Sequence, residues 1–111
     1  MELSQGTKNA ALLIQTVYDF IREEGIYDSN DDAPGFYDTD EWKERGEIYG
    51  LSSELIMTYD GSIMYYIMNP GYSSNPKWAF GAFERFADKL GEIGFWIEPC
   101  TGWYAAFYPF D

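Results

Sequence analysis

Histidine is absent from the 111 residues and cysteine occurs once, at Cys100. Without imidazole the chain lacks the usual general base, the usual activator of a nucleophile and the commonest metal ligand. One thiol cannot close an intramolecular disulfide, which excludes the disulfide-stapled secreted class, nor build a structural zinc site by itself. Apolar runs of about 18 residues are missing too, and MELSQGTKNAALLIQ has no basic stretch before its apolar segment. No membrane span or secretion signal is legible, and the cytoplasm is the expected compartment. Neither GxxxxGK nor GxGxxG occurs, so no glycine-rich phosphate cradle is expected and no cofactor is implied. Paired carboxylates remain as catalytic tools, but they need a substrate cleft that a chain of this size rarely offers. The expectation is a protein that binds and is not an enzyme.

Positive charge is also scarce: seven Lys and Arg face nineteen Asp and Glu, for a net charge of -12. Residues 1–22 balance, residues 61–75 carry no charge, and residues 76–111 hold five acids against three bases. Residues 23–60 hold twelve acids and two bases and so account for ten of the twelve net charges. Within them, Tyr27–Ile48 carries Asp28, Asp31, Asp32, Asp38, Asp40, Glu41, Glu44 and Glu47 against only Lys43 and Arg45. A local field of this sign repels nucleic acid and anionic membrane and steers cationic partners toward the segment.

What is plentiful is material for a core, with 46% hydrophobic and 20% aromatic residues. The length suits one domain, 1–111. Ala10, Leu13, Ile14, Val17, Phe20 and Ile21 recur at three and four, predicting a helix over about 7–24 that ends at Gly25. The acidic connection, about 25–50, follows; APG breaks regular structure there, and Thr39 is placed to cap a short helix over 40–45. ELIMTYDGSIMYYIMNPG reads as two β-favouring runs joined by Asp60-Gly61, the signal for a type I′ hairpin. Asn75-Pro76 then opens a helix whose stripe is Ala79, Ala82, Phe83, Phe86, Ala87 and Leu90, with Gly94 as its stop. GFWIEPCTGWYAAFYPFD closes the chain as a hairpin turning near 99–102. The expected fold is α+β in the order αββαββ: a four-stranded antiparallel sheet with two helices packed on one face.

Calcium is tested by register. With Asp28 at position 1 of an EF-hand loop, Asn30 and Asp32 fall at 3 and 5, but Ala33 stands where glycine is needed and Thr39 where the bidentate Glu belongs. The match fails, and no metal site is expected.

The acidic segment is therefore read as a protein-recognition surface. On a short helix Glu41, Glu44 and Glu47 stand at i,i+3 and Asp40 with Glu44 at i,i+4. Three residues rise about 4.5 Å, comparable with roughly 3.4 Å per phosphate along a DNA strand. Carboxylates so spaced suit the Lys and Arg sites of a basic nucleic-acid-binding protein. Acidic loops are often only solvated surface, yet Tyr27, Phe36, Tyr37, Trp42 and Tyr49 within the run exceed what solubility requires and suit an interface. Tyr37 joins the eight carboxylates as a candidate contact, whereas Trp42 and Phe36 are expected to pin the connection to the core.

In strands, alternation sends Tyr65 and Tyr66, Trp103 and Tyr104, and Phe107 and Tyr108 to opposite faces. The sheet face away from the helices is then a second contact surface or a homodimer interface. A base-stacking platform needs a basic rim that Lys77, Arg85 and Lys89 do not supply, so direct nucleic-acid binding is not expected. In size and charge the chain is similar to the small acidic proteins that phages and mobile elements use against host defence, the anti-restriction and anti-CRISPR type. That likeness, one of class and not of motif, implies a DNA-mimic inhibitor of a CRISPR effector or restriction enzyme. Two alternatives stand beside it: an immunity protein or antitoxin masking a basic nuclease toxin, and an accessory structural or regulatory protein.

Overall fold

A computed structural model describes residues 5–25, 34–62, 64–69 and 81–110. Helix α1 (Gln5–Glu24) follows the apolar spacing, burying Leu13, Val17, Phe20 and Ile21 with Ala10 and Ile14 packed beside them. Thr16, buried in the same helix, donates its hydroxyl to the Leu12 carbonyl at 2.7 Å and so satisfies it within the helix. Gly25, at φ 68°, stops the helix where its position predicted.

The acidic connection is more structured than expected. It contains strand β1 (Gly35–Tyr37) and helix α2 (Thr39–Glu44). Asp38, not Thr39, caps α2: its carboxylate accepts from Glu41 N at 2.8 Å, and Glu41 Oε1 accepts from Asp38 N at 3.3 Å. That reciprocal box satisfies two donors at the helix start, and a carboxylate there also meets the favourable end of the helix dipole, which a threonine hydroxyl does not.

Strand β2 (Leu55–Thr58) follows, but the run predicted as its hairpin partner is helix α3 (Tyr65–Met68). The reason lies at the turn. A type I′ turn needs positive φ at both central residues, and here only Gly61 has it, at 73°. Ser62 N donates to the Tyr59 carbonyl at 3.0 Å, and the chain curls on as Ser62 Oγ and O accept from Met64 N and Tyr65 N, both at 3.1 Å. Met64, Ile67 and Met68, spaced three and one, drop into the core on one helical side. Tyr65 and Tyr66 accordingly lie on a helix and not on alternate faces of a strand.

Helix α4 (Ala82–Glu92) buries Ala82, Phe86 and Leu90 and is followed by Gly94 at φ 90°, the expected stop. It opens after Gly81; the predicted opening at Asn75-Pro76 and the stripe residue Ala79 lie outside the described residues. Strands β3 (Phe95–Pro99) and β4 (Tyr104–Pro109) form the predicted C-terminal hairpin, in register Trp96↔Tyr108 and Ile97↔Phe107. The buried Tyr59 hydroxyl is shared between the Thr101 carbonyl, at 2.9 Å, and that of Tyr104, at 3.2 Å, tying the turn to β2.

All four strands are antiparallel in the order β1-β2-β4-β3, with Phe36↔Met57 and Leu55↔Phe107 in register. The class is α+β with a four-stranded antiparallel sheet. Among the described residues the order is αβαβααββ in place of αββαββ, because β1 from the acidic connection pairs with β2 in place of the run expected after Asp60-Gly61. On one sheet face Leu55, Met57, Phe95, Ile97, Ala105 and Phe107 pack with α1, α3 and α4; Phe86 bridges Phe20, at 4.9 Å between ring centroids, and Phe107, at 6.5 Å. The opposite face carries Ile56, Tyr104 and Ala106 beneath Trp42 of α2. Helices therefore lie on both faces, three on one and the short acidic one on the other.

Two ion pairs join α1 to α4. Arg85 clasps Glu24 with Nη2–Oε1 2.7 Å and Nε–Oε2 3.0 Å, and Lys89 meets Glu23 at 3.0 Å. Hydrogen bonding to Glu24 holds the Arg85 guanidinium above its ordinary pKa. No helix among the described residues is long and apolar enough to cross a membrane.

Candidate functional site

Trp42 orients the acidic helix. It is fully buried, with ring centroids 4.8 Å from Tyr104, 5.3 Å from Tyr37 and 5.7 Å from Trp103. At about 100° per residue, Asp40 and Glu44 stand about 160° around the helix from Trp42, and both are exposed. Anchoring one indole thus turns the i,i+4 acidic pair to solvent.

The eight expected carboxylates divide by role. Asp28, Asp31 and Asp32 lie outside the described residues. Asp38 and Glu41, though exposed, hold the capping box, so each has a structural duty besides its charge. Glu47 is half-buried and lies beyond α2, past Gly46 at φ 84°, which breaks the expected Glu41–Glu44–Glu47 ladder. Among the described residues no Lys or Arg pairs with Asp40, Glu44 or Glu47, whereas Arg22 with Asp19, Arg85 with Glu24 and Lys89 with Glu23 form ion pairs elsewhere. Arg45, inside the segment, lays its guanidinium 4.7 Å from the Trp42 ring centroid and 5.1 Å from that of Tyr37. Tyr37 is therefore half-buried under an internal arginine, and little of it is left for a partner.

Tertiary folding adds acids that the linear run did not include. Glu54, just before β2, joins Asp38 and Asp40 along a groove of about 440 Å³ whose other wall is Gly6, Thr7 and Ala10 of α1. Among the described residues three carboxylates and no base line it, and the positive end of the α1 dipole beside them offsets part of their repulsion. Asp60 borders a separate open depression of about 570 Å³ with Arg45, Tyr65, Gly102 and Trp103. Only the tertiary fold reveals Glu54 as a neighbour, because thirteen residues of chain separate it from Asp40. Among the described residues no three Asp, Glu, His or Cys side chains gather closely enough to hold a metal ion.

The chain past α2 covers part of the second sheet face. Gly50, at φ 80°, lies so close that a Cβ on it would meet Ile56 Cδ1 at 2.8 Å and Ala106 Cβ at 3.1 Å, so only glycine fits. Around this crossing Ile48, Tyr49, Leu51 and Trp96 are exposed. Trp103 belongs to the turn and packs against Tyr104 on the same side, at 4.6 Å, in place of the expected opposite faces; Phe107 and Tyr108 do divide as alternation predicts. The face is neither bare nor fully covered.

Compared with known family models, curated proteins and solved structures, the chain has no match. Its functional reading therefore rests on the geometry.

Three phenols and the lone thiol resist ionisation. Burial raises the Tyr104 and Tyr108 phenols, with Cys100 and Glu47 adding at Tyr104 and Glu98 at Tyr108. Burial, then Glu98, pushes the Cys100 thiol up to about 11, and burial raises Tyr59 further still. All four bind their protons more tightly folded than unfolded, so the stability they contribute is complete below their unfolded values of 9.0 and 10.0 and lost as the pH climbs past them. Urea midpoints are expected to hold steady from about pH 7 to 8.5 and to fall progressively between about pH 9 and 11. A midpoint unchanged at pH 11 would mean that these groups titrate alike in both states.

Proposed function

We propose that the chain acts by binding and not by catalysis, as an inhibitor that offers a DNA-like carboxylate surface to a basic nucleic-acid-binding protein of the CRISPR-effector or restriction-enzyme type. The observation that carries this reading is the outward placement of Asp40 and Glu44 by the buried Trp42, on a helix whose acids have no Lys or Arg partner among the described residues. A rigid acidic surface suits mimicry better than an acidic tail, because its charges are already ordered and less conformational entropy is lost on binding. Asp38 and Glu54 widen that surface beyond the helix. Carboxylates there would compete for the Arg and Lys sites that otherwise hold phosphates, while exposed Ile48, Tyr49 and Leu51 add contact that salt does not screen.

The test is capture from a bacterial lysate with the purified chain, eluted first with short duplex DNA and then with high salt, and the eluates identified by mass spectrometry. The expected result is a nucleic-acid-binding protein released by DNA. Bound protein that neither DNA nor salt displaces would count against mimicry, since phosphate-competing contacts weaken with both.

A further inference from the structure

On the second sheet face the Tyr37–Trp42 pair carries a cation, whereas among the described residues the Trp96–Tyr108 pair does not. Tyr37 and Trp42 lie under the Arg45 guanidinium, at 5.1 and 4.7 Å. The other pair, Trp96 and Tyr108, are cross-strand neighbours stacked with centroids 4.7 Å apart and planes 21° from parallel. Strand β3 is a sheet edge, and Tyr108 stands on its inner neighbour β4. One face of the Trp96 indole is therefore covered by Tyr108, and Trp96 remains 39% exposed on an edge strand. Glu98 is on the same side of the same strand, two residues along, roughly 7 Å at the usual strand rise. It is exposed and close enough to Tyr108 to raise its phenol, and no Arg or Lys lies over this pair among the described residues.

An aromatic face with a carboxylate beside it is complementary in both parts to a guanidinium, which stacks through its plane and donates two N–H groups at its edge. Lysine, a compact and strongly hydrated ammonium, uses only the charge. The chain's own Arg45 already shows that guanidinium placement on this face. We infer that Trp96, Tyr108 and Glu98 form a receiving site for an arginine side chain of a basic partner protein, the partner itself resting on the acidic-surface reading above. The site lies at the edge strand opposite β1, so it gives the interface an arginine-selective anchor apart from the carboxylates of α2.

The test is a titration of the ¹⁵N-labelled full-length chain with the peptide Arg-Gly-Arg-Gly-Arg-Gly and with its lysine counterpart of equal charge, following the Trp96 indole N–H resonance. Its assignment comes from Trp96→Leu, in which that resonance is lost. The arginine peptide is expected to shift it about threefold more than the lysine peptide does. Glu98→Gln, which keeps the shape of an exposed side chain, is expected to bring the two peptides to within about a factor of 1.5 of each other. Equal shifts from both peptides, an arginine preference unchanged in Glu98→Gln, or a Trp96 shift that tracks protein concentration without peptide, the mark of a second copy on this face, would each overturn the inference. An arginine preference with no DNA-displaceable partner in the lysate would leave this site standing and overturn the mimicry; the converse pattern would remove the site alone.

Discussion

Reversing Asp40, Glu44 and Glu47 to lysine is expected to weaken capture of the DNA-displaceable partner on the order of a hundredfold or more while the chain stays folded. Each reversal removes an attraction and adds a repulsion, and the three move the net charge from -12 to -6, since each adds two. Asp40 and Glu44 face solvent and have no ion-pair partner among the described residues, so reversing them breaks no ion pair of the fold. Glu41 is left in place on purpose, because its side chain closes the capping box and its loss would loosen the helix together with the charge. Circular dichroism and a thermal melt establish that the variant folds; capture is then compared at low and moderate salt. Undiminished capture by the folded variant would end the acidic-surface reading. A wild-type interaction that is steeply salt-dependent beside a variant interaction that is not would mark these carboxylates as the ones in contact.

The largest effect on stability is expected at Trp42. Truncation to alanine should cost about 3–5 kcal/mol, the range for emptying a large buried aromatic site. That is a large share of the roughly 5–15 kcal/mol that holds a domain of this size together. Three aromatic neighbours, Tyr37, Trp103 and Tyr104, and the Arg45 guanidinium lose their packing partner at once. A melting temperature lower by more than about 10 °C is the expected reading. Trp42→Phe separates packing from polarity. The buried Nε1 makes no hydrogen bond among the described residues, although it lies near enough to the Tyr104 hydroxyl to oppose the rise in that phenol's pKa. Phenylalanine keeps most of the ring and removes an unsatisfied donor, so its cost should be less than half that of alanine. Equal losses in the two variants would mean that the indole N–H has a stabilising partner.

Much of the local structure was legible in the residues. Leu13, Val17, Phe20 and Ile21 on α1, and Phe86 and Leu90 on α4, repeat at helical spacing, and a repeat of that kind has one way to bury itself. Gly25 and Gly94 ended helices as expected, and the C-terminal hairpin turned between Pro99 and Tyr104. Trp42 and Phe36 did pin the acidic connection, one to each sheet face. The middle of the chain was not legible in the same way. SIMYYIM satisfies a two-residue and a three-to-four-residue period about equally well, since nearly every position is apolar or aromatic. Met64, Ile67 and Met68 became helical because the core between α1, α4 and the sheet had room for one helical side, while β1 occupied the free edge of β2.

The charge tells the same story at the level of the site. Sequence by itself determined that the chain is strongly acidic, that ten of twelve net charges fall within residues 23–60, and that catalysis would have to proceed without histidine. Those are sums over residue types, and no folding changes them. Which carboxylates face outward was decided by tertiary structure: one indole buried against Tyr104 sets the rotation of α2, Gly46 turns Glu47 out of the ladder, and the return of the chain into β2 brings Glu54 beside Asp38 and Asp40. Rotation about a helix axis and proximity across a sheet depend on contacts between residues far apart in the chain. A reading of local spacing contains no term for them.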